Sequence, residues 1–329
     1  MLDMVGILST LGARLSDFGH TPTSQRVIDE AVAQNGWFTP TEITTAVEAI
    51  RATMLKEKAL WEWLSRYRIC TTPKRVAIVM AGNIPLVGFF DLLCTLCSGH
   101  TAYVKPSSKD RVMTDYVIDL LKEIEPTVPI YTYAPTEQYD LAIATGSDEA
   151  NDYFRSHFAT THALLRGSRH SVALLDGTET EAELQGLMRD ITLYSGSGCR
   201  SVSLIFAPRG TEIDIPRTAP TNPKLGNNLR SRRALYTIQK RPFDDYHAFL
   251  LVEGKEFPTS LAEVALYRYD DIAEVERWLD AQHDDIQCVV SHLPLPNVIP
   301  FGQAQYPTLR DYADGVDTML FLGNEPKEE

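Results

Sequence analysis

The sequence predicts an α/β protein built on a parallel, doubly wound sheet, and three observations lead there. Short apolar runs recur along the chain: RVAIV, TAYVK, PIYTY, LAIAT, SVALL and SVSLIFAP. They read as near-continuous hydrophobic strands, as strands covered on both faces do. Segments of helical spacing alternate with them, the order that produces crossover connections. At 329 residues the chain is long enough for two domains.

Residues 1–70 read as helical. From Thr41 to Tyr67, the residues Ile43, Val47, Ile50, Met54, Trp61 and Leu64 recur near helical spacing, and Thr39 before Pro40 suits a helix start. Trp61 and Trp63 read as packing residues. RVAIVMAGNIP (75–85) is a strand that ends in Gly-Asn. An apolar helix over 86–98 stops at Gly99, TAYVKP is the next strand, and a charged helix follows over 109–124. Two more strands lie at 129–133 and 141–145. From Ser171 a second unit begins: strand SVALLDG, a helix from Glu179 to Tyr194, and a strand over 201–208. Residues 211–245 are poorly patterned and rich in Pro and Asn. Strands HAFLLVEG and EVALYRY, a helix over 271–280, strand IQCVVS and a tail with a strand-like end complete the chain.

Charge and composition remove several function classes. A formal net charge of −13 disfavours a polyanionic partner, so nucleic acid is not expected. No uninterrupted apolar run approaches the ~18 residues of a membrane helix, because Asp91 interrupts the best one, IPLVGFFDLLCTLC. The N-terminal MLDMVG has an acid where a signal peptide has a cation. The expected location is cytoplasmic. Cysteines 70, 94, 97, 199 and 288 are odd in number and scattered, which does not suit a disulfide framework.

Four features carry chemistry. Gly82-Asn83-Ile84-Pro85 ends a strand and has a plain reading as a turn. Tyr103-Val104-Lys105-Pro106-Ser107 puts a lysine at a strand's C-terminal end, the edge where open α/β sheets bind ligands. Ala144-Thr145-Gly146-Ser147 opens a helix, whose N–H groups suit phosphate. Cys199 lies in LYSGSGCRSVS, a glycine-serine loop that lets backbone approach a ligand. Its reactive form is the thiolate. No local Cys-His signature accompanies it; the nearest upstream histidine is His170.

In this order and spacing the four features resemble the aldehyde dehydrogenase superfamily. NIPLVGFFDLLC, RGSRHSVALLDGTET, GSGCRSVS and PFGQAQYPTLRDYADGVDT narrow the likeness to its acyl-CoA reductase branch, the bacterial-luminescence fatty acid reductase type. The likeness runs from about Trp37 to Leu322. It implies N-terminal helices (1–70), a Rossmann-like cofactor domain (71–168), a catalytic α/β domain (169–298) and a tail (299–329) returning to the cofactor domain.

The resemblance implies roles residue by residue. Cys199 becomes the nucleophile that takes an acyl group from an acyl-CoA thioester, with coenzyme A leaving. Asn83 becomes the oxyanion donor. Lys105, with Ser107 and Ser108, holds the adenosine ribose of a nicotinamide cofactor, and Gly146 and Ser147 lie near its pyrophosphate. Hydride transfer then releases an aldehyde. Hydrolytic members carry a water-activating glutamate before the motif RGSRHS; that position is Leu165 here. A thiol ionises far more readily than water, so acyl exchange with CoA has less need of it. The family's ribose-binding glutamate falls on Pro258 and its second glycine on Asn151. Where NAD-preferring members have a 2′-hydroxyl-binding glutamate, this chain has Ser108 followed by Lys109, which favours NADPH and leaves NADH possible. The expected alternatives are a semialdehyde or acyl-phosphate reductase and a catalytically silent nucleotide- or acyl-binding member. Luminescence-type reductases receive acyl groups from other proteins, so an acyl-transfer partner is also possible. Oligomeric state is left open.

No acid occurs from Ile215 to Phe243, while Arg217, Lys224, Arg230, Arg232, Arg233, Lys240 and Arg241 do. Arginine suits the phosphates of coenzyme A, which makes Arg230, Arg232 and Arg233 candidate CoA contacts; the plain reading is a solvated helix face. His170 is a possible acid or base. Cys94-x-x-Cys97 in an apolar helix reads as packing. Asp311, Asp314 and Asp317 read as a capped, polar turn. His157 and His162 are five apart, so they do not share a helix face. No metal site is expected.

Overall fold

The computed structural model describes residues 2–327. The chain forms two compact units. One runs from the N-terminus to Ser168 and resumes from Pro307; the other is Arg169–Tyr306.

The first unit opens with four helices: α1 (Met4–Arg14), α2 (Pro22–Gln34), α3 (Pro40–Thr53) and α4 (Glu57–Leu64). Thr21 and Thr39 start α2 and α3 with reciprocal capping boxes and a following proline. Each such cap is worth about 1 kcal/mol. The single helical pattern over 41–67 is split at Met54 and Leu55, both buried. Gly12 of α1 comes so close that an added Cβ would lie 2.9 Å from the Leu55 Cβ. Trp63 is 1% exposed, but Trp61 is 56% exposed. The packing role expected of both therefore belongs to Trp63 alone; α4 turns Trp61 to solvent.

After β1 (Tyr67–Arg68) come β2 (Arg75–Val79), α5 (Phe89–Cys97), β3 (Thr101–Lys105), α6 (Arg111–Ile124), β4 (Ile130–Thr132), β5 (Leu141–Thr145), α7 (Asp148–His157) and β6 (His162–Arg166). The sheet order is β4-β3-β2-β5-β6, and every pairing is parallel. The chain winds outward from β2 through β3 to β4, then restarts at β5 on the other side. β2 and β5 thus flank the topological switch point. Cys94 and Cys97 are buried in α5, and burial pushes the Cys97 thiol up to about 12. Both act as packing residues.

The second unit contains β7 (His170–Leu174), α8 (Glu181–Thr192), β8 (Val202–Pro208), α9 (Pro223–Gln239), β9 (Asp244–Asp245), β10 (Leu250–Glu253), β11 (Glu263–Tyr269), α10 (Ile272–Ala281), β12 (Ile286–Val290) and β13 (Val298–Ile299). Its seven strands run β13-β12-β7-β8-β11-β10-β9. All are parallel except β9, which pairs antiparallel with β10. The stretch 211–245, unpatterned in the sequence, holds the 17-residue α9. That helix buries only Leu225, Leu229 and Tyr236, too few to write a periodicity.

The returning segment belongs to the first unit. Its end is not the strand the tail suggested. TMLF forms a helical turn, α11 (Thr318–Phe321), because the Asp317 carboxylate accepts from the N–H groups of Met319 and Leu320. A short strand, β14 (Glu325–Pro326), pairs antiparallel with β1. Asp311 accepts from the Thr308 N–H at 2.8 Å, so the aspartates build capped turns.

Candidate active site

In the first unit the sequence candidates gather on one edge. The Asn83 loop follows β2, Lys105 ends β3, and Gly146-Ser147 follows β5. These are adjacent strands, and all three features lie at C-terminal ends beside the switch point, where such sheets take ligands. Asn83, Lys105, Ser108 and Ser147 are exposed. Ser107 is turned inward: a Cβ on Gly82 would lie 2.5 Å from its Oγ, and that Oγ accepts from the Lys109 N–H at 3.3 Å. Ser107 therefore packs the two loops together.

Asp110, not singled out in the sequence, supports the same loop. Its Oδ2 accepts from the N–H of Leu86 at 2.8 Å, and Leu86 holds a left-handed φ of 57°. Burial pushes the Asp110 carboxyl up to about 8, against the hydrogen bonds from Leu86 and Thr114.

Ser147 caps α7 by accepting from the Ala150 N–H. An added Cβ on Gly146 would lie 2.8 Å from the Ala150 Cβ, so glycine is required by helix packing as well as suited to a ligand. Asp148 and Glu149 occupy the same first turn. They complement the helix dipole and oppose a pyrophosphate there. Asp148 also accepts from the Ser168 N–H at 3.1 Å. Leu165, on β6, pairs with Ala144, so no carboxylate stands at that position.

In the second unit, α8 runs into the Cys199 loop. Tyr194, Ser195 and Gly196 hold left-handed φ values of 56°, 55° and 71° in succession. Two of these are non-glycine residues, and strain of this kind costs roughly 1–3 kcal/mol each. Cys199 is partly exposed, whereas Cys94, Cys97 and Cys288 are buried. The Ser171 hydroxyl donates to the Cys199 carbonyl at 2.8 Å and lies 3.1 Å from the Cys288 sulfur. His170 stacks face to face on Phe257, centroids 4.2 Å apart, with its Nδ1 3.2 Å from the Ser203 hydroxyl.

The candidate arginines differ. Arg232 pairs with buried Glu263 at 2.6 Å. Arg233 makes two contacts to Asp245, at 2.5 and 2.9 Å. Arg230 is exposed on α9 and meets the Asn227 side-chain oxygen. The acid-free stretch thus spends two of its cations on carboxylates from elsewhere in the chain.

One polar cluster gave no signal in the sequence. His292 Nδ1 lies 2.8 Å from Glu183, and its Nε2 lies 3.2 Å from Asp176 and 4.0 Å from Glu179. The members come from segments more than a hundred residues apart, so spacing does not announce them.

Comparison with known proteins agrees with the fold. A family model described as acyl-CoA reductase (LuxC) matches residues 37–248. The chain is 26% identical over 215 residues to long-chain acyl-protein thioester reductase 2 of Photobacterium leiognathi, covering 58% of this chain and 43% of that protein. It is 23% identical over 266 residues to the long-chain acyl-protein thioester reductase of Photorhabdus laumondii subsp. laumondii, covering 74% and 54%. The chain thus spans about half the length of these relatives. Among solved structures, aldehyde dehydrogenase 21 of Physcomitrella patens in complex with succinate superposes with a TM-score of 0.66 at 12% identity, over 98% of this chain and 84% of that one. The betaine aldehyde dehydrogenase of Staphylococcus aureus in complex with NAD+ gives 0.58 at 14% identity, over 92% and 71%. Both units therefore have the aldehyde dehydrogenase-like α/β fold. Among the described residues no helix is long and apolar enough to cross a membrane.

Proposed function

The chain belongs to the acyl-CoA reductase (LuxC) family, and from that premise we propose that it reduces an acyl thioester to the aldehyde through an acyl-enzyme on Cys199. The carrying observation is the placement of that thiol. Cys94, Cys97 and Cys288 are buried and Cys70 and Cys199 are partly exposed; of these two, Cys199 follows the strained 194–196 turn and has its carbonyl held by Ser171. Loops over-determined in this way belong to functional sites more often than to surface turns.

The Cys199 thiolate attacks the thioester carbonyl, and a sulfur–carbon bond forms. The donor thiol leaves as a thiolate and takes up a proton, so the acyl group now sits on Cys199. By the family resemblance Asn83 is the proposed oxyanion donor; loss of one such donor raises a barrier by about 3 kcal/mol. A reduced nicotinamide held by Lys105 and Ser108 would supply the hydride. The Cys199 sulfur then departs from the reduced carbon, the aldehyde leaves and the thiolate is restored. Leu165 stands where hydrolytic members of the superfamily carry their water-activating glutamate, which favours reduction over hydrolysis.

Lys105 and Ser108, exposed at the end of β3 beside the switch point, have the donors and the position to hold the cofactor's ribose. Ser108 and Lys109 tolerate a 2′-phosphate, so NADPH is the preferred cofactor. Arg230 is the proposed CoA phosphate contact, since Arg232 and Arg233 already serve Glu263 and Asp245. The donor is a long-chain acyl-CoA or an acyl-protein, which present the same thioester to Cys199. A partner that delivers the acyl group is part of this proposal.

The test follows loss of reduced-nicotinamide absorbance with NADPH or NADH, a series of acyl-CoAs and an acylated carrier protein, beside Cys199→Ala. Oxidation that needs the acyl donor and vanishes in the variant supports the proposal. No oxidation with either donor or either cofactor overturns it in favour of a silent binding member or a semialdehyde substrate.

A further inference from the structure

The motif FGQAQ (301–305) takes no part in the chemistry proposed above, yet it is fastened to the nucleophile loop at several points. Gly186 of α8 lies against its backbone: an added Cβ would sit 2.8 Å from the Phe301 carbonyl carbon and 2.9 Å from the Gly302 nitrogen. Four residues along, on the same face of α8, Asp190 reaches the same segment. Its carboxylate accepts from the N–H of Gly302 at 2.6 Å and from that of Ala304 at 3.1 Å. Gly302 has a φ of +80°, a conformation that suits glycine.

The segment so held grips the two residues that directly follow Cys199. Arg200 Nε donates to the Ala304 carbonyl at 2.5 Å. Gln305 Nε2 donates to the Ser201 hydroxyl at 3.1 Å. From β7, Ser171 donates to the carbonyl of Cys199 itself. Asp190, Ser201, Gln305 and Ser171 are each at most 5% exposed. Buried hydrogen bonds are directional and costly to leave unmade. Together these bonds hold the peptide after Cys199 through its carbonyl and the next two residues through their side chains. That restrains the chain carrying the Cys199 thiol, and an error near 1 Å in the position of a reacting group costs about 100-fold in rate.

We propose that the 301–305 segment is a clamp that positions Cys199, with Asp190 and Gln305 as its positioning residues. The inference rests on Cys199 being the nucleophile. It assigns Asp190 and the FGQAQ motif a task that their burial alone does not require.

The test measures single-turnover acylation of Cys199 by a long-chain acyl-CoA, read by intact mass, in wild type, Asp190→Asn, Gln305→Ala and Asp270→Asn. The last removes a carboxylate from a surface pair with Arg209 and serves as the control. The clamp predicts acylation slowed at least ~10-fold in Asp190→Asn and Gln305→Ala, with half-saturating acyl-CoA within about twofold of wild type, and no change in Asp270→Asn. A pH profile adds a readout that general destabilisation does not move. Burial pushes the Asp190 carboxyl up to about 6. The charged groups beside it are the Arg189 and Arg200 guanidiniums. Wild-type acylation therefore carries an inflection near that pH that Asp190→Asn lacks. Should Asp190→Asn fail to fold, Gln305→Ala decides, because it removes a single hydrogen bond. Wild-type acylation with both variants unslowed overturns the clamp alone. No acylation of Cys199 in wild type overturns the nucleophile reading and the clamp with it.

Discussion

One guanidinium nitrogen of Arg166 lies 2.7 Å from each carboxylate oxygen of Asp91, with both residues buried. A second nitrogen donates to the Thr318 hydroxyl at 2.9 Å. The pair therefore ties β6 to α5 and to the returning α11 within the first unit. Close by, Tyr67 donates to Asp317 and meets the Tyr312 hydroxyl, which accepts from the Trp63 indole. The DYADGVDT motif thus supplies the polar seam along which the chain's last segment rejoins the first unit.

Removing one partner of a buried pair strands the other's charge. Arg166→Met is expected to destabilise the first unit by about 3–5 kcal/mol, and Asp91→Leu in the same chain to restore most of it. Urea unfolding of the single and double variants measures both. Equal loss in the single and double variants would contradict the stranded-charge account.

Asp110 makes the Asn83 loop sensitive to pH. Its folded value, about 8, is above the unfolded carboxyl value, so the fold favours the protonated form. Its stabilising contribution is full below the unfolded value and is lost as pH rises through about 8. Asp110→Asn mimics the protonated form. Its stability relative to wild type should therefore climb between pH 4 and 8 and level off above pH 9. A flat difference across that range in chemical unfolding would refute the assignment.

His292 works in the opposite chemical sense. Burial lowers its affinity for a proton, but the carboxylates of Glu183 and Asp176 outweigh it and raise its value above the ordinary one. The charged ring stabilises the fold fully below the unfolded value near 6.5, and this is lost as pH rises through the raised value. His292→Gln is expected to lower the unfolding midpoint at pH 6 and to match wild type well above the raised value. A deficit unchanged by pH would mean packing, not charge.

The proposed reaction assigns cofactor choice to Ser108. On that assignment a carboxylate at 108 would repel a 2′-phosphate. Ser108→Glu should raise the KM for NADPH by roughly tenfold, about 1.4 kcal/mol, with little change for NADH. Equal effects on the two cofactors would remove Ser108 from the site.

Much of the architecture is legible in the sequence because buried parallel strands write themselves as apolar runs. β2, β3, β5, β7 and β8 fall where RVAIV, TAYVK, LAIAT, SVALL and SVSLIFAP stand. β6 writes no such run, since HALLR is mostly half-buried. The helix α9 is not legible in the sequence, because a helix that buries three side chains leaves no stripe. TMLF looked like a strand because its helical turn depends on one capping aspartate. Among the candidate residues, Asn83, Lys105 and Ser108 on the first unit's sheet edge and the loop thiol of the second unit are legible as motifs. Asp190, Asp110 and Ser171 are not. Each owes its role to partners that only the fold brings within reach, such as Ser171 beside Cys199, 28 residues away.

The central claim is that Cys199 carries the acyl group, and one measurement tests it most directly. The protein is incubated with a long-chain acyl-CoA without cofactor, its mass recorded, the modified peptide mapped, and NADPH then added. The account predicts one acyl adduct, mapped to Cys199, that disappears on addition of NADPH with release of the aldehyde. An adduct at another cysteine, or aldehyde formed by Cys199→Ala at the wild-type rate, would contradict it.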